Sequence, residues 1–101
     1  MKNNHQTILN LASDLRRISW WACDEKISRE ALIERFLDLA NKAKQAMEKE
    51  NKKAAAIVER RIFIDWPKVK SDPKARLIWA EGVLTASLRL KHFFKSDKIG
   101  G

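Results

Sequence analysis

Apolar residues recur along this chain at intervals of three and four, the repeat of a helix with one face turned inward. Residues 6–23 place Ile8, Leu11, Ala12, Leu15, Ile18, Ser19 and Ala22 on one such face. Asp24-Glu25-Lys26-Ile27 is the expected connection, and Ser28 suits an N-cap. A second helix over residues 29–50 draws its stripe from Leu32, Phe36, Leu39, Ala40, Ala43 and Met47, widened by Ile33 and Leu37. No breaker stands at Asn51-Lys52-Lys53, so the sequence leaves open whether the next helix is continuous with it. That third helix spans residues 53–64 with Ala54, Ala55, Ile57, Val58 and Ile62 inward, and Trp66-Pro67 ends it, because a residue before proline disfavours helical backbone. After a loop, Asp72 suits an N-cap and Pro73 the first helical position of a fourth helix over residues 73–95. Its inward side is Ala75, Trp79, Gly82, Val83, Ala86, Leu90, Phe93 and Phe94, and a second apolar flank carries Leu77, Leu84 and Leu88. Gly82 with Ala86 one turn on suggests close helix approach there, so a leucine at Gly82 should overpack the core.

No run alternates β-branched with polar residues, and only three glycines and two prolines punctuate the chain. The expected fold is all-α: an antiparallel four-helix bundle, one domain over residues 1–95 with a flexible tail at 96–101. A length of 101 residues suits one modest core. No stretch approaches the roughly 18 apolar residues of a membrane span, and the N-terminus shows no apolar signal region, so a cytoplasmic protein is expected. The single cysteine, Cys23, excludes a disulfide within the chain and reads as a small buried hydrophobe.

Enzymatic readings fail on inventory, and no cofactor, metal or small-molecule substrate is expected. The two histidines, His5 and His92, belong to no metal-binding motif, and no glycine-rich loop is present to cradle phosphate. Glu34 and Asp38 lie one turn apart beside Arg35 and Lys42, which reads as a solvated ion-pair face.

Charge is more informative. The net charge is +8, and it is uneven: residues 1–50 carry nine Lys/Arg and eight Asp/Glu, residues 51–101 twelve and five. Such asymmetry points to a polyanion. Lys52 and Lys53 precede Arg60 and Arg61 by two turns, and one continuous helix would put Lys53 and Arg60 on one side; Arg61, nearer the seam, is a candidate to pair with an acid. The stretch from Trp66 to Arg76 sets Lys68, Lys70, Lys74 and Arg76 around a proline-braced loop, where lysines reach phosphates and an indole can stack on a base. Trp66 equally suits a cover for the core beneath that loop. Arg35, Lys42 and Lys49 repeat every seven residues along the second helix, another row suited to a phosphate backbone. Trp20 and Trp21 cannot share one helix face, and Trp21 falls on the side of Asp14 and Arg17. Both are candidate partner-binding residues, and Trp21 equally suits a cover for the bundle end near Ile27.

Lys52-Lys53, Arg60-Arg61, the Trp66–Arg76 loop and Trp79-Ala80-Glu81-Gly82, in a basic helical bundle of this size, give a chain that resembles the small subunits of CRISPR effector complexes, which line the belly of Cascade-type assemblies. It is similar also to the C-terminal helical domains of their large subunits. The resemblance implies a structural, non-catalytic role. Several copies of the chain, with other protein subunits, would sit beside the guide RNA and hold RNA or DNA phosphates of the guide–target duplex or displaced strand without reading bases. Two other classes compete: an adaptor or immunity-like bundle meeting an acidic protein or membrane surface, and a DNA-binding regulator, for which no helix-turn-helix signature is present.

Overall fold

The computed structural model describes the backbone of residues 3–24 and 29–100 and the side chains of residues 6–24 and 29–93. Among the described residues five helices follow one another: α1 Asn3–Cys23, α2 Glu30–Glu50, α3 Lys52–Ile57, α4 Arg61–Val69 and α5 Pro73–Gly100. No strand occurs among the described residues. α1 packs on α2 and α5, while the α3–α4 pair lies against α2 and α5. The result is the expected four-membered antiparallel bundle, about 43 × 21 × 19 Å, with a broken third member. The proposed Ser28 cap lies outside the described residues.

The α1 face is fully buried as its spacing predicts, from Ile8 through Ala22. Its seam with α5 is made of small residues. Ser19 Oγ on α1 donates to the Ala80 carbonyl on α5 at 2.9 Å, and Ser87 Oγ on α5 donates to the Ala12 carbonyl on α1 at 2.7 Å. The two bonds are reciprocal and fix the antiparallel register of the pair. Each buried hydroxyl is thereby satisfied, which removes the cost of burying it.

Close approach is therefore centred on Ala12, Ser19, Ala80 and Ser87, and the expected role of Gly82 is corrected. Gly82 is exposed, and a Cβ built on it would meet nothing within 4 Å. Its backbone is helical, so Gly82→Ala should stabilise the protein by up to about 1 kcal/mol. A urea midpoint that falls on this substitution would contradict the open surface.

The inward stripe of α2 is also rotated from the sequence expectation. Ile33, Leu37, Ala40, Lys44 and Met47 are buried, whereas Leu32 and Leu39 are exposed. The difference lies in Lys44, only 5% exposed, whose ammonium donates to the Ala55 carbonyl at 2.7 Å and pairs with Glu48 at 3.4 Å. Its aliphatic stem completes the apolar face, and its charge lies at the carbonyl end of α3.

α2 and α3 are separate. Asn51 closes α2 through its N–H to the Met47 carbonyl, and its side chain caps α3 by accepting from Ala54 N at 3.1 Å. The predicted third helix breaks once more at Val58, which is buried in extended backbone (φ −93°, ψ 94°). Nor does Trp66-Pro67 end a helix: Pro67 lies inside α4 and the last turn closes with Lys70 N on the Trp66 carbonyl at 3.0 Å. The proline's missing N–H costs one bond within a nine-residue helix, and burial of Trp66 outweighs the preference of a pre-proline residue for extended backbone. Asp72 caps α5 as expected, accepting from Lys74 N and Ala75 N. α5 itself continues to Gly100, past the Lys95 end expected from sequence. Cys23 is exposed rather than buried, because the core has ended at the last residue of α1.

Candidate nucleic-acid interface

The outer side of the α3–α4 member carries the densest run of exposed cations. Lys52, Lys53, Arg60, Arg61 and Lys68 are all exposed, with Arg60 on the side of α2, near Glu48, and Arg61 on the side of α5, at the groove there. The only exposed carboxylate on the same two helices and their link is Glu59, and Asp65 is half-buried. The local geometry follows from packing. Ala54, Ala55, Val58, Ile62 and Trp66 are drawn inward, which leaves the basic positions outward. Within α4, Arg61 and Lys68 are seven residues apart, roughly 10.5 Å at ordinary helical rise.

Within the ridge, Arg61 Nε donates to Glu59 and Arg60 lies 4.0 Å from Glu48, which also holds Lys44. Arg61 thus finds the acid its sequence position suggested. Exposed pairs of this kind contribute little and exchange readily for a phosphate. Lys52, Lys53 and Lys68 make no ion pair among the described residues. The continuous helix that would align Lys53 with Arg60 is absent, and both reach the ridge because α3 and α4 each turn an apolar side inward.

Two residues of the proposed loop site are engaged within the protein, Trp66 buried and Arg76 half-buried. Trp66 is 2% exposed, tilted against Trp79 at 4.8 Å, with Nε1 donating to Glu34 at 3.4 Å. Its ring faces are occupied, so it has none to offer a base. Arg76 lies with its guanidinium 5.3 Å over the Trp66 ring. Its Nε donates to the Ala22 carbonyl in the last turn of α1 at 2.9 Å and its Nη1 to the Lys70 carbonyl at 3.4 Å. A cation at the carbonyl end of a helix is favourable, and this one ties α1 to the α4–α5 turn. Lys70 is partly committed as well, 3.4 Å from Glu34. Lys68 and Lys74 remain exposed.

The basic residues of the C-terminal half therefore do not form one patch. Lys52 and Lys53 lie where α2 gives way to α3, and Lys74 lies at the opposite end of the bundle, where α1 ends and α5 begins. On α2, Arg35, Lys42 and Lys49 are exposed, with Lys42 bound to Asp38 at 3.1 Å.

The two tryptophans differ in exposure. Trp21 is half-buried, edge-on to Phe36 at 5.1 Å, joining α1 to α2. Trp20 is the exposed one, 58% accessible, with the Arg16 guanidinium 4.7 Å above its ring. Nearby on α1, burial raises the pKa of Asp14, with Arg17 at 3.7 Å opposing the shift.

A groove of about 450 Å3 runs between α3–α4 and α5, lined by Ile62, Val69, Ile78 and Trp79 with Arg61, Asp65 and Arg89 at its margins. Among the described residues, no three His, Cys, Asp or Glu side chains gather to hold a metal ion, and no helix is long and apolar enough to cross a membrane. Compared with family models, curated proteins and solved structures, the chain matches none.

Proposed function

We propose that this protein is a non-catalytic, basic helical subunit that holds nucleic-acid phosphates along its α3–α4 ridge, without reading bases. The observation that carries the reading is the set Lys52, Lys53, Arg60, Arg61 and Lys68, all exposed along α3, α4 and their link, with Glu59 as the exposed carboxylate among them. Cations on flexible stems, with no exposed aromatic ring among them, suit a backbone more than a base edge. The small subunits of CRISPR effectors, which the sequence resembles, perform work of this kind, and a place beside the guide RNA in such a complex is the specific form of the proposal. An adaptor role is the second reading, favoured by the exposed apolar residues Leu77, Ile78 and Leu88 on α5.

Each phosphate neutralised releases condensed counterion. Engagement of four or five phosphates by the ridge predicts a log–log salt slope of roughly −3.5 to −4.5 on duplex and a shallower one on single strands. Fluorescence anisotropy with RNA, single-stranded DNA and duplex of arbitrary sequence measures it. Affinity should be similar across sequences. Absence of binding to all three at low salt would overturn this reading and favour the adaptor.

A further inference from the structure

The outward face of α5 is complementary to itself. Leu77, Ile78, Glu81, Gly82, Thr85, Leu88, Arg89 and His92 are all exposed, Ile78 at 70% and Leu88 at 57%. Glu81 and Arg89 lie four residues either side of Thr85, and Gly82 and Leu88 lie three. Two identical helices crossing antiparallel with a two-fold axis at Thr85 would therefore bring unlike groups together at these four positions. Glu81 meets Arg89 of the second copy, twice by symmetry, and Leu88 meets Gly82 of the second copy, also twice. Neither Glu81 nor Arg89 makes an ion pair within the chain among the described residues. Gly82 supplies an open notch, since no atom lies within 4 Å of where its Cβ would be, and it borders the groove beside Trp79 and Ile78. A leucine fits such a notch, and a helix with alanine or larger there would hold the two backbones apart.

From this we infer that α5 is a docking surface for a second copy of the chain, in an antiparallel, two-fold arrangement centred on Thr85, with Leu88 seated at Gly82 of its counterpart. An interface with a two-fold axis must be self-complementary, and the order of charge and size about Thr85 meets that condition. One helix face is a small contact, at the low end of specific interfaces, so the association is concentration-dependent rather than permanent. Arg61 borders the same groove as Gly82, Thr85 and Arg89, so the two surfaces adjoin, but the inference does not rest on the phosphate-binding reading.

Sedimentation equilibrium of the full chain, without nucleic acid and in salt sufficient to screen repulsion between two +8 chains, gives the test. Wild type should rise with concentration from the chain mass toward twice that mass. Glu81→Arg alone, and Arg89→Glu alone, each place like charges opposite one another twice and should shift the monomer–dimer midpoint at least tenfold upward in concentration. The double variant, Glu81→Arg with Arg89→Glu, restores opposite charges across the axis and should return the midpoint to near the wild-type value. Both substitutions are at exposed positions, and circular dichroism verifies that each of the three variants is folded. A wild type that stays monomeric, single variants that dimerise as wild type does, or a double variant that is no better than the singles would each overturn the inference.

Discussion

Trp66→Ala should cost about 3–5 kcal/mol of stability, the range for removing a large aromatic from a core, and leave the nucleic-acid affinity of the folded protein unchanged. The indole is buried between Trp79 and the Arg76 guanidinium, and its N–H reaches Glu34. Its removal opens a cavity where α2, α4 and α5 meet and withdraws the surface on which Arg76 rests. For a domain of this size, each kcal/mol moves the melting temperature by about 4–8 °C, so the loss is a large share of the total stability. Trp66→Phe keeps a ring while losing the bond to Glu34, and should fold and bind as wild type does. Thermal melts, with anisotropy recorded well below the transition, check both variants. An unchanged melting temperature with weakened binding to single strands would return Trp66 to the role of a base-stacking platform.

A leucine at Ser87 should be the next most damaging change. Ser87 is 1% exposed and its hydroxyl bonds Ala12 across the α1–α5 seam. A leucine must force the two longest-packed helices apart, at a cost of about 1–3 kcal/mol or more, since overpacked cores yield only by shifting backbone. The same residue placed at Gly82, about one and a half turns away on the other side of α5, enters open space and should not destabilise the monomer. Urea midpoints of Ser87→Leu and Gly82→Leu therefore differ in sign of effect or nearly so. Equal losses would contradict the seam as described.

The contrast between those two positions shows what periodicity conveys. It identified the α1 face residue by residue, including Ser19, because a one-sided helix repeats its inward positions faithfully. It also placed Trp79, Val83, Ala86 and Leu90 inward on α5. A helix apolar on several sides is ambiguous, however, and Gly82 was assigned to packing when Ala80 and Ser87 do that work. On α2 the count of hydrophobes passed over Lys44, whose buried stem marks the true face and whose ammonium holds α3. Asn51 was the legible signal for the α2–α3 boundary, as a residue type that caps helices well. The break at Val58 carries no such signal, as Val58-Glu59-Arg60 contains neither glycine nor proline. Among the basic residues, the doublets Lys52-Lys53 and Arg60-Arg61 are both exposed, but they stand at the starts of two different helices rather than along one. Trp66 and Arg76 look like binding residues in sequence because cation and aromatic are neighbours in both a binding loop and a buried stack. Only the packing of α1 against the α4–α5 turn distinguishes the two.

The central claim, that one side of the bundle rather than net charge alone holds the phosphates, is tested by two triple variants that lose the same charge from different helices. One is Lys52→Ala, Lys53→Ala and Lys68→Ala on the α3–α4 ridge, and the other is Arg35→Ala, Lys42→Ala and Lys49→Ala on α2. The measurement is the salt dependence of anisotropy with one RNA and one duplex for both triples and wild type. The ridge triple should weaken binding to all sequences alike and flatten the slope by about 2–3, while the α2 triple keeps the wild-type slope. Equal losses from the two triples would contradict a ridge, and a wild-type chain without salt-dependent binding would contradict the account altogether.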